Sequence, residues 1–509
     1  MSTGFWARSR RAAAHRPTWL ASFSAFGLGA LLSVSLAPFH ILWGLPLAFG
    51  GIGALVLWAR SAMQGAGIGL FAGLGYFSFG LSWIVEPFQI DAARYAWMAP
   101  FALVFLAAGL ALFWAFAFGL AARWARGGHR LVLLIALWAL AEFGRAYLFT
   151  GFPWAGFAQF WIDTPVARLL PFVGEQGVAL LTLVLTLPLA LLRRRPLLAV
   201  SPLLVVALAG YALLNRPPEP EMSPHLLRLV QPNAPQAEKW LPERRWDFVR
   251  RAIELSAGDG APGQAQPDLI LWPETSVPQL LNDAEDALSA IAAQVGGQPV
   301  LLGIQRRDQG RYFNSAVLLT GQGRVDQIYD KAHLVPFGEY VPFGNVMARF
   351  GIHGFAAQAG AGYTAGPGAV LMDLGIGQAL PLICYEAVFA RDVNAAPARP
   401  DMLIQITNDA WFGTRSGPYQ HLVQARMRAA EQGLPMVRVA NTGISAMIDP
   451  YGRIRESLPL GVAGAIDASL PKPLAATLYS RTGDAPVFVL CILLALTATW
   501  GRRGLVSRS

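Results

Sequence analysis

Three segments of this chain each place a reactive side chain beside a strand end. The first is LILWPETSVP (269–278), in which Glu274 follows LILW and a proline. A carboxylate at the end of a buried strand is partly desolvated, which raises its pKa toward that of a general base. A loop-capping glutamate would give the same local pattern. The second is YDKAHLVPFGEYVPF (329–343), which carries Lys331 and Glu339. An ammonium held in a pocket stabilises a developing oxyanion and favours a neighbouring thiolate, and Glu339 is placed to hold it. A solvated surface lysine is the ordinary alternative. The third is LPLICYEAVF (380–389), in which Cys384 precedes Tyr385 and Glu386. A cysteine after four apolar residues is commonly a small core residue.

The combination changes the weighing. Base, cation and thiol are the parts that acyl transfer through a thioester requires. They occur in the order Glu, Lys, Cys, at intervals of 57 residues (274 to 331) and 53 residues (331 to 384). The chain has two cysteines, and the other, Cys491, lies in an apolar C-terminal run. A disulfide between a bilayer segment and a folded domain is geometrically awkward, so Cys384 is read as a free thiol. The histidines are scattered and the two cysteines are 107 residues apart (384 to 491), so no metal-ligand spacing is present. There is no phosphate-binding glycine motif and no cofactor fingerprint, so no cofactor is expected.

The elements that must position these residues form an alternating pattern. Strands are expected at 226–232, 267–274, 298–305, 314–321, 378–386, 401–408 and 436–449. Helices are expected at 242–256, 284–295 and 418–432. Buried apolar strands alternating with helices predict a layered α/β domain. No repeat is present, and the one biased tract is the APGQAQP loop at 261–267.

The rest of the chain has another character. Of its 509 residues 54% are hydrophobic and 14% charged, against roughly 25% charged in soluble domains. Mean hydropathy is +0.42. Apolar runs at 18–38, 41–59, 65–85, 96–121, 130–149, 166–192 and 197–214 are each near the ~20 residues that cross a bilayer, and 485–500 is a shorter eighth. The expected domains are therefore a seven-helix transmembrane domain (1–214), an extracytoplasmic catalytic domain (215–484) and a C-terminal transmembrane helix with a cytoplasmic tail (485–509). A cleaved signal peptide would also fit residues 1–38, but six further spans favour a retained helix.

The net charge of +9 has a topological reading. Arg8, Arg10, Arg11 and Arg16, then Arg60, then Arg123, Arg126 and Arg130, then Arg193, Arg194 and Arg195, then Arg502, Arg503 and Arg508 all fall on one side if seven spans precede the domain and one follows. That side is cytoplasmic by the positive-inside rule, and nucleic acid is discounted as a partner. Glu142 with Arg145, and Glu175 with Gln176, lie inside expected spans. They line a cavity or form a packing pair.

The Glu, Lys, Cys order with these flanks resembles the nitrilase superfamily: a Glu closing a PE segment, a Lys before LVPFGEYVPF and a Cys before YE. The resemblance covers about 225–470 and includes ITNDAWFG (406–413), HLVQARMRAAE (421–431) and VRVANTGISAMIDPYG (437–452). It implies an αββα sandwich that works through a cysteine acyl-enzyme. With the spans, TGFPW (150–154) and QAEKW (236–240), the whole chain resembles the apolipoprotein N-acyltransferase family. That resemblance implies a multi-pass protein of the bacterial inner membrane with its catalytic domain on the periplasmic side. The acyl donor is then a phospholipid, typically phosphatidylethanolamine, and the acceptor is the N-terminal amine of a diacylglyceryl-cysteine lipoprotein. It implies Glu274 as base, Lys331 as oxyanion stabiliser and Cys384 as nucleophile, with Glu339 orienting the lysine and Tyr385 and Glu386 in support. It puts Trp240 near the site, where ordinary packing is the alternative. Trp411 and Phe412 form an apolar wall for acyl chains or pack the core.

A diacyl phospholipid barely leaves the bilayer, so an enzyme using one needs its pocket at the membrane surface, and fusion to apolar spans supplies that. A tethered amidase using water as acceptor shares the same three residues. A transporter with an inert outer domain is the reading of a different class.

Overall fold

The computed structural model describes residues 18–202, 217–258, 266–342 and 362–506. The expected run 197–214 and the APGQAQP tract fall mostly outside these residues.

The N-terminal part is helical: α1 (Thr18–Ser33), α2 (Gly44–Trp58), α3 (Ala62–Gly80), α4 (Ala99–Trp124), α5 (Gly127–Tyr147) and α6 (Leu170–Thr186). Among the described residues, 92–124, 127–147 and 165–191 are long and apolar enough to cross a membrane. A fourth candidate is α3 together with the 3-10 turn Ser82–Gln89, bent by 47° against it. Segments 19–33, 44–58 and 485–500 are shorter apolar helices. The first helix ends at Ser33 rather than 38, ahead of Pro38, whose ring disfavours helix at the preceding residue.

Exposed Phe101, Phe105, Leu112 and Phe116 form one stripe along α4 at intervals of four, seven and four. Such a stripe suits lipid, not water. Inside, α3 meets α4 through Gly65, Gly69 and Gly73. An added Cβ at these positions would lie 2.6–2.7 Å from Ala122 Cβ, the Trp114 carbonyl oxygen and Ala111 Cβ, so only small residues permit this approach.

The C-terminal part contains β1 (Met222–Gln231), α7 (Arg245–Ala257), β2 (Leu269–Leu271), α8 (Glu285–Gln294), β3 (Val300–Asp308), β4 (Arg311–Leu319) and β5 (Val325–Asp330). These are followed by β6 (Met372–Asp373), β7 (Gln378–Ile383), α9 (Ala390–Asn394), β8 (Met402–Thr407), α10 (Gly417–Gln432), β9 (Met436–Ala440), β10 (Ser445–Ile448), β11 (Ile454–Leu458) and β12 (Gly464–Pro471). The apolar helix α11 (Ala485–Val506) follows. The strands form two six-stranded sheets, in the orders β12-β1-β2-β3-β4-β5 and β11-β10-β9-β8-β7-β6. Neighbours β1-β2-β3 and β7-β8-β9 run parallel and the other pairs antiparallel.

Alternation along each strand builds the layers. Leu301 faces the other sheet, in a core with Leu227, Ile404 and Val437, while Leu302 packs outward against α7 and α8 through Val249 and Leu288. On the second sheet Ile404 points inward and Leu403 outward to Leu422 and Ala425 of α10. The result is the expected αββα sandwich. The expected strand 436–449 is instead the hairpin β9–β10, turned at 441–444. The four edge strands β5, β6, β11 and β12 lie outside the expected set, because edge sequences such as IRESL lack an apolar face.

Candidate functional site

Glu274, Lys331 and Cys384 all lie just past the C-terminal ends of strands, following β2, β5 and β7. The strands stop earlier than expected, at Leu271 and Ile383, so the reactive residues sit in turns and not in the ladders. The turn after Glu274 is sharp, with Thr275 at φ 49°. Strand β3 makes room for it at Gly303, where a Cβ would lie 2.4 Å from Thr275 N and 2.6 Å from Glu274 Cα.

The Glu274 carboxylate is buried and fully engaged. Its Oε1 accepts from Asn314 Nδ2 at 2.6 Å, its Oε2 accepts from the Asn408 amide at 2.8 Å, and Lys331 Nζ stands 3.8 Å away. Lys331 is 1% exposed and reaches both Glu339 oxygens, at 2.9 and 2.8 Å. Glu339 also accepts from the Val335 amide at 2.8 Å and from Asn314 Nδ2 at 3.2 Å. Burial raises the Glu274 pKa; Lys331 opposes this and Glu339 adds to it. Burial alone would lower the Lys331 pKa, but the carboxylates of Glu339 and Glu274 overcome it and keep the ammonium charged.

Cys384 opens the 3-10 turn Cys384–Val388 with φ 53°, a left-handed conformation that a non-glycine residue holds only when its surroundings enforce it. Glu386 supplies part of that constraint. Its Oε2 accepts from the Ile383 amide at 2.7 Å. Its Oε1 accepts from Tyr329 Oη at 2.7 Å and from the amides of Ala332 and His333 at 2.8 and 3.0 Å. One carboxylate thus stitches the cysteine turn to the loop that begins at Lys331. The Cys384 carbonyl oxygen accepts from Gln405 Nε2 at 2.9 Å and lies 3.1 Å from His421 Nε2. His421 and Arg438 both bind Asp409, at 2.9 and 2.5 Å, and hold its carboxyl down to about 2 against the opposing effect of burial.

The charge on Lys331 does favour the Cys384 thiolate, as expected, but it is outweighed. Burial, reinforced by Glu274, pushes the thiol pKa up. A thiol shifted in this direction reacts as a thiolate only where a base can take its proton. Both cysteines are free, as the sequence indicated.

The membrane helices reach this site. Tyr385 Oη donates to the Gly151 carbonyl at 3.4 Å. Glu142 and Arg145 are a buried ion pair at 2.5 Å, and Arg145 also holds the carbonyls of Phe152 and Trp154 at 2.7 and 2.5 Å. They therefore pin the TGFPW loop. Trp154 in turn donates to Gln420 at 2.8 Å and lies 5.4 Å, ring to ring, from His421. Glu175 pairs with Arg428 of α10 at 3.1 Å, and its amide donates to Glu431 at 2.9 Å where α6 restarts after Gly174 (φ 63°). An anion at a helix start is favourable.

Phe412 packs between Trp83 (4.9 Å), Trp154 (5.4 Å) and His421 (5.4 Å), and Trp411 is half-buried in the same turn. Trp240 lines a cavity of about 10 Å³ behind the Glu274 turn, with Lys239, Pro273 and Thr275. Asn314, Gln405, Asp409, His421 and Arg438 were not singled out from the sequence. Asn314, Gln405 and Arg438 carried a signal, each being a polar residue inside a largely apolar strand.

A family model described as carbon-nitrogen hydrolase matches residues 226–477, and one described as apolipoprotein N-acyltransferase N-terminal domain matches 28–187. Similar curated proteins include the apolipoprotein N-acyltransferase of Rhodopseudomonas palustris, 36% identical over 95% of this chain and 96% of that one. The protein of the same name from Bradyrhizobium diazoefficiens is 37% identical, over 94% and 95%. Among solved structures, a CN-hydrolase superfamily protein from Xanthomonas campestris is 22% identical over 53% of this chain and 97% of that one, with a TM-score of 0.35.

Proposed function

Because the chain belongs to the apolipoprotein N-acyltransferase family, we propose that it moves an acyl chain from a phospholipid, by way of Cys384, to the N-terminal amine of a diacylglyceryl-cysteine lipoprotein. The observation that carries this reading is the buried Glu274–Lys331–Glu339 cluster, which acts electrostatically on Cys384, a buried cysteine held at φ 53°. In the first half-reaction Glu274 takes the thiol proton as sulfur attacks the ester carbonyl. Lys331 stabilises the oxyanion. The ester C–O bond then breaks, and the proton passes from Glu274 to the departing lysophospholipid oxygen. In the second, the lipoprotein amine attacks the thioester and gives a proton to Glu274. The C–S bond breaks and the thiolate is reprotonated.

Glu339 orients Lys331, and Glu386 and Tyr385 hold the nucleophile turn. Phe412 and Trp411 form an apolar flank, and Trp240 backs the turn that carries the base. A cavity of about 540 Å³ lies beside the loop that follows Lys331, lined by Thr150, His333, Leu334, Leu382 and Tyr363. In this reading residues 1–214 and 485–509 anchor the protein in the inner membrane, both termini are cytoplasmic, and residues 215–484 face the periplasm. The basic clusters on alternate loops support that orientation.

The test separates acceptors. Purified enzyme is acylated with phospholipid and isolated, then given a diacylglyceryl peptide with a free N-terminal cysteine, its N-acetylated form, or buffer. Rapid discharge by the free amine alone is expected. Equal discharge in buffer would make the protein a hydrolase and refute the transferase reading.

A further inference from the structure

A second lysine stands behind the base. Lys239 is 6% exposed, and its ammonium donates to the Glu274 carbonyl oxygen at 3.1 Å and to Thr275 Oγ1 at 3.0 Å. Among the described residues it makes no salt bridge within 4.0 Å. A cation so buried without a contacting anion is costly and needs a compensating role. Its two acceptors are the backbone and side chain of the turn in which Thr275 takes φ 49°. We propose that Lys239 is a positioning residue for Glu274: its ammonium locks the turn that presents the carboxylate, and supplies a second positive charge opposite Lys331.

Charged and titratable groups approach Glu274 from every side. Lys331 follows β5, Glu339 lies in the next loop, Cys384 follows β7, Tyr363 couples across the cleft, and Lys239 precedes α7. Of these, Lys331 and Lys239 favour the ionised carboxylate. Lys239 faces Glu274, and Arg245 of α7 shares its small cavity. Burial brings Lys239 down to about 8 against the pull of Glu274, so its charge is present below that pH. Both lysines are needed because their tasks conflict. Lys331 must stay free to meet the oxyanion, whereas Lys239, on the backbone side, can neutralise Glu274 without entering the reaction.

This inference rests on Glu274 being the base, and the experiment separates the two. The single-turnover rate of acyl-adduct formation on Cys384 is measured by intact mass in phospholipid micelles from pH 5 to 9. It is followed for the wild type, Lys239→Met, Lys239→Gln and Thr275→Val, with melting temperatures recorded alongside. Removing the charge makes Glu274 harder to ionise. The acidic limb of both Lys239 variants therefore moves up by about one pH unit, a tenfold deficit at acid pH that shrinks toward pH 9. Thr275→Val keeps the ammonium and leaves the limb in place. A limb unmoved in both Lys239 variants, or moved equally by Thr275→Val, overturns the role of Lys239. A Glu274→Gln variant that acylates at the wild-type rate overturns the base assignment and this inference with it, and a wild type that forms no adduct overturns the acyl-enzyme reading.

Discussion

Replacing Glu339 by glutamine tests whether Lys331, the proposed oxyanion stabiliser, is held or merely buried. In the native site Lys331 lies 2.8 Å from Glu339 and 3.8 Å from Glu274. At an effective dielectric near 20, Coulomb's law gives roughly 6 kcal/mol for the nearer pair and roughly 4 kcal/mol for the farther one, before desolvation offsets much of both. Removing the Glu339 charge reverses that order, so the ammonium moves onto Glu274, the proposed base, and quenches it. Hydrogen bonding worsens the change. Glu339 accepts from Val335 N with one oxygen and from Asn314 Nδ2 with the other, and a glutamine must turn its amide nitrogen toward one of these donors. Loss of one oxyanion-stabilising donor lowers turnover about a hundred- to thousandfold. Glu339→Gln is therefore expected to slow adduct formation on Cys384 by that factor, while KM for the phospholipid changes by less than about threefold, because the interaction acts on the transition state. The assay is single-turnover acylation followed by intact mass, with the melting temperature as a control on folding. A folded variant that acylates within about threefold of wild type would refute the view that Glu339 holds Lys331.

Other expectations follow from neighbouring parts of the structure. Cys384→Ala should leave the fold intact and form no acyl adduct; substantial turnover by this variant would remove Cys384 as the nucleophile. Arg145→Leu, in the membrane domain, should release the Phe152 and Trp154 carbonyls and lower acylation at least about tenfold, because the TGFPW loop packs under Tyr385 and His421; unchanged acylation by folded protein would show the loop to be irrelevant to the site. The wild-type rate should rise with pH along a limb lying above the ordinary glutamate value of 4.5, since burial raises Glu274 and the base works only when ionised; a limb at or below that value would argue against Glu274. Reporter fusions after residues 60, 125, 194 and 505 should read cytoplasmic, and those after 90, 158 and 260 periplasmic; an inside signal at 260 would overturn the orientation.

The class of the fold was legible in the sequence alone. Glu274 and Cys384 each follow an apolar run, and that local pattern suffices to set a side chain at a strand end, whereas Lys331 follows the polar edge strand VDQIYD. Apolar runs of bilayer length marked the helical part, because hydrophobicity acts locally and needs no tertiary partner. Edge strands escaped notice for the converse reason: IRESL is held by its partner strand and not by an apolar face. What lay out of reach was everything fixed by distant segments. The cysteine turn is tied to the lysine loop by Glu386, and Glu274 is bound by an asparagine side chain from β4 and an amide following β8. The sequence favoured a thiolate at Cys384 because it offered a nearby cation. Only the folded structure shows that the thiol is buried and flanked by Glu274, and desolvation then outweighs the lysine. Whether Glu142, Arg145 and Glu175 lined a cavity or formed pairs was likewise undecidable from spacing. Arg145 meets carbonyls in the next loop, and Glu175 meets Arg428 from 253 residues along the chain. Such contacts are made by packing two domains together, and no local pattern encodes them.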